Sequence, residues 1–452
     1  MPLRALLCEI KGLKPEAKYF LVRFIQCFGV TDPVCLGVKE FAKQVGVTDR
    51  QASAALNALV DAEILVCSLV PNNGGRQARW YGVAKTFLAE LNRLPVPVGA
   101  MHISAIERLM VHGGTDAGQY EEEGISLAHL RARKKPGGLN RVNRLLMAVL
   151  LCSADRCGVV RNLGTLQICK ATGLSKERLR NRLKTLMDQA LIRSYLPGLS
   201  SSVLAGRRNS VYYLNLNHAQ LEGSGQTTSI LRVVGGSTWP GRLEVLQRIR
   251  SVANSIKKDD ECAKRSLGSP VLEVFAGQGL LFYRAFQALM EDYASQLLSR
   301  HWLDLVGDHL RTRFDDPILR EQILKDFKLP DGPQGAEDTD ISAIRADFSG
   351  QLFGLAYGMA LYFKELLSKA TNVPFSELDF IIIHQPIRQG YLYRALLVRP
   401  KAEQGWSGNL IIDSSVTPVS VRRLSREQEI PLEQLYAYCL LTKPGRPGND
   451  RQ

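Results

Sequence analysis

The sequence predicts an α+β protein, mainly helical, in which two copies of a helical module precede a helical domain with a small antiparallel sheet. Two observations carry this prediction. Residues 41–66 align without a gap on residues 168–193, which lie 127 positions further along the chain. After Pro374 the spacing of apolar residues changes from a helical period to the alternation typical of strands. We therefore expect two similar modules first and a different domain after them.

Each copy of the repeat has the signals of two helices joined by a tight turn. The first helical pattern ends at a glycine, Gly46 or Gly173, and glycine readily adopts the left-handed backbone that ends many helices. Two positions later a hydroxyl residue, Thr48 or Ser175, is suited to cap the next helix. The matching pairs are Lys43/Lys170, Gly46/Gly173, Thr48/Ser175, Leu56/Leu183, Leu59/Leu186 and Asp61/Asp188.

The second helix of each copy has apolar residues on one side only. These residues are Ala52, Leu56 and Leu59 in the first copy and Leu179, Leu183 and Leu186 in the second. A stripe at this spacing packs against a core and leaves the other side of the helix in solvent. After each helix, two β-like runs flank a polar tip with glycine and arginine, at 72–76 and 206–209. This pattern predicts a hairpin.

With this order of elements, residues 35–83 and 143–216 resemble the winged helix-turn-helix superfamily of DNA-binding domains. The resemblance covers about a third of the chain and is one of pattern, not to one named family. It implies that the second helix of each module reads DNA and that the hairpin is a wing that contacts the backbone or the minor groove. The C-terminal half carries no such resemblance.

The charge of the chain supports a polyanionic partner. Residues 1–217 contain 30 Lys and Arg against 16 Asp and Glu, whereas residues 218–452 contain 28 of each kind. The formal net charge of +14 therefore belongs to the half that holds the repeat. Cationic side chains that neutralise phosphates release counterions, so a segregated basic half favours nucleic-acid binding over a general solubility charge.

The sequence lacks the signals that are typical of several other functional classes. No apolar run approaches the roughly 20 residues of a membrane span, and no apolar core of a secretion signal follows the first residues. The nine cysteines include no Cys-x-x-Cys pair and the seven histidines are dispersed, which argues against a zinc site. No common hydrolase or nucleotide-binding motif occurs. We expect a cytoplasmic, nucleoid-associated protein that is not an enzyme, with no catalytic residues, metal or cofactor and no membrane contact.

Residues 271–279 leave one enzymatic alternative. Their sequence, Val-Leu-Glu-Val-Phe-Ala-Gly-Gln-Gly, is similar to the first motif of S-adenosylmethionine-dependent methyltransferases, in which an acid and glycines line the cofactor. No second strand ending in an acid follows, and neither an Asn/Asp-Pro-Pro-aromatic tetrapeptide nor a Pro-Cys pair occurs. A glycine loop between helices explains the residues as well, and we prefer that interpretation.

Composition sets the expected boundaries. They are a winged module at 1–94, a linker at 95–138, a second winged module at 139–222, a linker at 223–241, an α+β domain at 242–445 and a disordered tail at 446–452. In the α+β domain, helical spacing covers 243–256, 280–298, 302–314 and 341–370, and strand-like alternation covers 379–384, 391–399, 410–414 and 419–422. Short turns between the strands predict antiparallel pairing. We expect this domain to serve assembly, through a homo-oligomer or protein partner, or ligand binding.

The outward positions of the two second helices predict different roles. In the second module they include cations and an amide suited to phosphates and base edges, namely Lys176, Arg178, Asn181, Arg182 and Lys184, with Arg207 and Arg208 on its wing. In the first module three alanines, Ala54, Ala55 and Ala58, occupy this side. Its polar candidates are Arg50, Gln51, Arg76 and Arg79. The second module is therefore the expected main reader of double-stranded DNA.

The expected function is that of a prokaryotic transcriptional regulator. Two winged modules in one chain are also similar to plasmid or mobile-element replication initiators, which grip origin repeats with such a pair. A third alternative is a subunit of a larger nucleic-acid machine, in which the modules contact protein or RNA.

Overall fold

A computed structural model of the chain divides it into two compact units. The first unit contains Met1–Ile192 with Leu214–Thr227, and the second contains Arg193–Tyr213 with Thr228–Gln452. The structure describes residues 2–70, 78–111, 139–221, 228–234, 249, 274–306, 314–329, 338–370, 372–385, 393–402, 405–424 and 426–443. Helices predominate and the sheets are small, so the mainly helical α+β class is confirmed.

The first copy of the repeat forms helices and a small antiparallel sheet. Its elements are α1 (Pro2–Leu7), α2 (Pro15–Phe28), β1 (Val34–Cys35), α3 (Val38–Val45), α4 (Asp49–Asp61), β2 (Leu65–Val70), β3 (Ala78–Val83) and α5 (Lys85–Arg93). The strand order is β1-β3-β2, with Val34 opposite Tyr81 and Leu65 opposite Val83. The predicted hairpin after the second helix is thus present as β2 and β3.

The second copy repeats this order of elements. They are α6 (Ile103–Val111), α7 (Arg141–Cys152), β4 (Val159–Val160), α8 (Thr165–Thr172), α9 (Lys176–Asp188), β5 (Ile192–Leu196) and β6 (Val211–Leu214), with strand order β4-β6-β5. A shift of 127 positions places both ends of α3 and α4 on the ends of α8 and α9. The base of this hairpin closes where the amide of Asn215 donates to the carbonyl of Leu191 over 2.8 Å.

The turn between the paired helices has the predicted geometry in both copies. Gly46 and Gly173 adopt φ of 76° and 73°, in the left-handed region that ends a helix without strain only for glycine. The hydroxyl of Thr48 accepts a hydrogen bond from the amide of Gln51 over 3.3 Å, and that of Ser175 accepts one from the amide of Arg178 over 3.3 Å. Both predicted caps are therefore confirmed.

Two matching non-glycine residues also share a rare backbone conformation. Glu63 and Ala190, again 127 positions apart, have φ of 57° and 60° directly after α4 and α9. A side chain seldom adopts this region, so its occurrence at equivalent positions marks a common way of leaving the second helix. The repeat thus extends from the sequence into local backbone geometry.

Helix α7 is the most buried element of the first unit. Its residues from Leu145 to Cys152 are fully covered, and it packs against α1, α2, α6 and α8. The segment predicted as linker contributes to this core, because residues 98–102 form a 3-10 turn and α6 packs on α7. The structure thus groups the helices of both predicted winged domains in one compact unit, while most of the second hairpin belongs to the second unit and residues 112–138 lie outside the described part of the chain.

The second unit combines long helices with a mixed sheet. Its elements are β7 (Ser229–Val234), α10 (Leu280–Arg300), α11 (Pro317–Asp326), α12 (Asp338–Leu367), β8 (Leu378–Ile382), β9 (Tyr393–Pro400), β10 (Asn409–Asp413), β11 (Ser420–Arg423) and α13 (Leu432–Ala437). The predicted helices at 280–298 and 341–370 and the four predicted strands are present with small shifts of their ends.

Three expectations about the second unit are wrong. The sheet order is β11-β10-β7-β9-β8, and β7 pairs with β10 in parallel, so the sheet is mixed rather than antiparallel. Strand β7 lies in the segment predicted as a linker, yet all its residues are buried at the centre of the sheet. A continuous apolar run is typical of a strand covered on both faces. Of the helix predicted at 302–314, residues 302–304 form a turn instead, and residues 307–313 lie outside the described part of the chain.

Aromatic side chains fill the core of the second unit. Phe275 lies within 6.4 Å, centroid to centroid, of four other phenylalanine rings, including Phe286 at 4.8 Å and Phe348. Val274 and Phe275 begin the described part of the methyltransferase-like segment, and Gly277 turns the chain into α10 with φ of 74°. Residues 271–273 lie outside the described residues. Among the helices that the structure describes, none is long and apolar enough to cross a membrane.

Lys18 is a buried cation in the first unit. It lies on α2 with 2% of its surface exposed, and its ammonium donates to the carbonyl of Cys8 over 2.5 Å. Burial disfavours the charged form and lowers the pKa of Lys18 to about 8. In the unfolded chain this lysine titrates near 10.5. Between these two values the unfolded state holds more protons, so the stability of the fold rises with pH.

We expect Lys18→Met to remove this pH dependence. The free energy of unfolding of the native protein should gain roughly 3 kcal/mol, relative to the variant, between pH 7 and 10.5. Chemical denaturation of both proteins across this range measures the difference. Lys11→Met, at an exposed position, is the control and should keep the native profile. Parallel profiles for native protein and Lys18→Met would contradict the assignment.

Candidate nucleic-acid interface

Helix α9 presents a cationic side opposite its buried side. Leu179 and Leu186 are fully covered, whereas Leu183 is half-buried, so the buried stripe is narrower than predicted. The exposed residues on this helix include four cations and one amide, namely Lys176, Arg178, Arg180, Lys184 and Asn181. Arg182, a predicted contact, is half-buried. Arg180 is exposed as well, although it is not among the contacts predicted from the sequence.

Two carboxylates lie beside this cationic side. Glu16 at the start of α2 pairs with Arg178 at 3.3 Å, and both side chains keep 47% of their surface exposed. Glu9 pairs with Lys170 on α8 at 2.9 Å. Ion pairs with this exposure contribute little to stability, so a phosphate could replace either carboxylate as partner at small cost. Arg180 and Lys184 are exposed on the same helix.

Helix α4 presents a different surface at the equivalent positions. Arg50, Ser53, Ala54 and Asn57 are exposed, and Ala58 is half-buried. Ala55, predicted to face outward, is 5% exposed and belongs to the core. The one cation on this side is Arg50, and an exposed acid, Asp49, occupies the position of Lys176, so α4 is a weaker partner for phosphate than α9.

Gln51 on α4 is held by other parts of the first unit. Its side-chain oxygen accepts from the backbone amide of Thr48 over 3.2 Å, which completes a capping box. The same oxygen accepts from the guanidinium of Arg141 over 2.5 Å. Its predicted role in reading DNA therefore competes with two contacts inside the protein.

The hairpin of the first module carries a smaller part of the predicted site. Arg79 is exposed on β3, opposite Leu69 of β2. The tip of the hairpin, including Arg76, lies outside the described residues. Arg50 and Arg79 are thus the described cations among the four candidates of this module.

The hairpin of the second module, apart from its base, belongs to the second unit. Val203 and Leu204 at its tip are buried in the aromatic core of that unit. The amide of Ala205 donates to the carbonyl of Asp326 over 3.0 Å, and the amide of Lys328 donates to the carbonyl of Val203 over 2.7 Å. The tip is therefore packed as part of a core, which a wing entering a DNA groove would not be.

Because of this packing, the two cations predicted on the wing, Arg207 and Arg208, have different environments. Arg208 is half-buried and pairs with Asp326 at 2.7 Å, and Asp326 also accepts from the hydroxyl of Tyr293 over 2.6 Å. Burial is the main cause that raises the pKa of Tyr293, and the neighbouring carboxylate of Asp326 raises it further. The hydroxyl therefore stays protonated and donates to Asp326. Arg208 is thus a structural residue, contrary to its predicted role, whereas Arg207 is exposed.

A second buried network surrounds the start of this hairpin. The guanidinium of Arg193, with no exposed surface, forms a bidentate pair with Glu427, whose second contact measures 2.8 Å. Next to Arg193, the hydroxyl of Ser194 donates to the carbonyl of His384 over 2.5 Å. The paired charges tie the hairpin to the segment before α13. Sequence reasoning gave Arg193 no role, because a buried arginine is recognised only through its distant partner.

His384 has a structural environment. Its Nδ1 lies 2.8 Å from Glu291 on α10, and the other carboxylate oxygen of Glu291 lies 3.1 Å from Arg394 and accepts from Gln287 over 2.7 Å. All four side chains are buried. His384 is thus held by a buried carboxylate just after the end of β8. No group of side chains suited to hold a metal ion occurs within the described ranges.

Comparison with models of known protein families and with curated proteins finds no match for this chain. The assignment of the interface therefore depends on the residues themselves. Within the first unit, the strongest concentration of exposed cations on one described helix lies on α9.

Replacement of Arg208 should affect stability more than that of Arg207. Arg208→Ala leaves the half-buried carboxylate of Asp326 without its cation and should lower the free energy of unfolding by about 1–3 kcal/mol. Arg207→Ala, at the adjacent exposed position, should change it by less than about 0.5 kcal/mol. Thermal and chemical denaturation of both variants measure the difference. Equal losses would contradict the structural role of Arg208.

Proposed function

We propose that this protein binds double-stranded DNA through two helix-turn-helix modules, of which the first carries a wing, and that it acts as a transcriptional regulator. The observation that carries the proposal is the cationic exposed side of α9, on the helix that follows a tight glycine turn and a serine cap. The repeated element order and the charge of the first 217 residues support it.

The chemistry of α9 fits both parts of DNA recognition. Arg180 and Lys184 are suited to phosphates, since each neutralised phosphate releases counterions and adds affinity without regard to sequence. Arg178 can exchange its exposed carboxylate partner for a guanine or a phosphate, and the amide of Asn181 matches an adenine edge. An α-helix fits the major groove, where these edges are distinguishable.

The first module has a supporting role in this proposal. Arg50 and Arg79 can hold the backbone, and the small side chains of Ser53 and Ala54 allow α4 to approach a groove wall closely. Val66 and Leu69 on β2 keep 57% and 58% of their surface exposed. These apolar side chains favour a protein contact at the same module, which is the third alternative of the sequence prediction.

The second unit completes the proposal as the part that serves assembly or signal input. It has a large aromatic core, and the hairpin with Arg208 belongs to it. We assign the protein to the nucleoid of a prokaryotic cell, with a homo-oligomer or protein partner contacting the second unit.

A replication initiator is the second candidate function. The observation that favours it is the presence of the paired helices of both modules in one compact unit, since one chain can then grip an origin repeat without dimerising. Footprinting on the DNA that flanks the gene separates the two functions. A regulator protects a promoter operator, whereas an initiator protects direct repeats beside an AT-rich tract.

Removing cations from α9 should weaken DNA binding. For Arg180→Ala with Lys184→Ala, we expect an affinity loss of about tenfold or more at 50 mM salt and a salt slope smaller by about two units, because two phosphate contacts disappear. Fluorescence anisotropy with a labelled duplex at several salt concentrations measures both quantities.

The matched control removes the same charge from α5, by Lys85→Ala with Arg93→Ala, at two exposed positions of the first unit. It should keep most of the affinity. Equal losses in both variants would reduce the effect to net charge, and absence of duplex binding by the native protein at low ionic strength would refute the proposed function.

A further inference from the structure

We infer that the DNA site of this protein is an inverted pair of unequal half-sites occupied by a single chain. This inference rests on the proposed function and adds the arrangement of the target. It comes from contacts inside the first unit. There the start of α7 contacts the helix turn of the first module, and the equivalent helix α2 contacts the helix turn of the second module.

The start of α7, in the second module, contacts the turn of the first module. Arg141 donates from Nε to the carbonyl of Gly46 over 3.0 Å and from Nη1 to the side-chain oxygen of Gln51 over 2.5 Å. Gly46 forms the turn between α3 and α4, and Gln51 lies in the first turn of α4.

The start of α2, in the first module, makes the reciprocal contact with the second module. A Cβ on Gly173 would lie 2.3 Å from the carbonyl oxygen of Leu13, so only glycine allows this approach. Glu16 then pairs with Arg178 in the first turn of α9 at 3.3 Å. A shift of 127 positions relates Gly46 to Gly173 and Gln51 to Arg178, and it relates Arg141 to Lys14, which lies between Leu13 and Glu16.

Such reciprocal contacts define the relation between the modules. In a twofold arrangement, residue i of one copy contacts residue j of the other and the reverse also holds, whereas a head-to-tail arrangement uses two different surfaces. Here the same two surfaces are exchanged, and the equivalent helices α2 and α7 pack against each other. The two modules are therefore related by a local twofold axis within one chain.

The symmetry of a DNA-binding protein determines the symmetry of the DNA sequence that it binds. A twofold pair of reading helices matches half-sites in inverted orientation, and the two centres are separated by about one helical turn or a multiple of it. Direct repeats would need modules related by a translation along the duplex. Because α4 and α9 expose different side chains, the two half-sites differ in sequence, and α9 reads the stronger one.

Selection from a random duplex library with the full chain tests the arrangement. We expect one strongly specified half-site, a weaker one in inverted orientation, and one chain bound per duplex by native mass spectrometry. A direct repeat, or a lone half-site, would overturn the inference while DNA binding stands. Absence of any duplex binding at low ionic strength would instead remove the proposed function and the inference with it.

A second experiment makes the first module read like the second. The exposed positions Ser53, Ala54 and Asn57 match Arg180, Asn181 and Lys184 of α9 in register. The variant Ser53→Arg/Ala54→Asn/Asn57→Lys should prefer a duplex with two inverted copies of the strong half-site over one with two direct copies, by about tenfold or more.

The control for this experiment is Thr86→Arg/Ala89→Asn/Asn92→Lys, which adds the same three side chains at exposed positions of α5. It should keep the native selectivity for one strong and one weaker half-site in inverted orientation. Because all three positions are exposed, folding of both variants can be checked by circular dichroism before binding is measured. Preference for the direct duplex, or equal affinity for the two duplexes, would overturn the inference.

Discussion

Burial of α7 is the constraint on which the first unit depends. The helix is covered on all sides from Leu145 onward, by α1, α2, α6 and α8. An apolar helix of this kind stabilises a fold only when neighbouring helices remove it from water. Elements from both halves of the repeat are therefore required around it, and the start of the same helix holds the turn at Gly46 through Arg141. The same helix, α7, thus fills the core of the first unit and fixes the turn that precedes α4.

Local signals were sufficient to predict the paired helices. A glycine that ends one helix and a hydroxyl that caps the next act within a few residues, so Gly46, Thr48, Gly173 and Ser175 could be interpreted without tertiary structure. The strands after Pro374 were found for a similar reason, since alternation is a local pattern. Arg180 was not among the predicted contacts, although it is exposed.

Features that depend on distant partners were not predictable. Glycine, serine and threonine around β7 predict a linker. Pairing with β9 and β10 instead places this strand at the centre of the sheet. Arg208 was placed on a wing because its neighbours suggest a hairpin tip. Its role was decided by Asp326, more than a hundred residues away, and by the burial of Leu204. Long-range pairing overrides local preference in both cases.

Because both copies lie in one chain, a substitution in one copy leaves the other copy unchanged. In a homodimer, a single codon specifies both reading helices, so any substitution alters both ends of the operator at once. Here α4 and α9 have the same length, a hydroxyl cap at the same position and the same backbone conformation at Glu63 and Ala190, while their exposed side chains differ at almost every position. Each helix can therefore change its exposed side chains independently of the other.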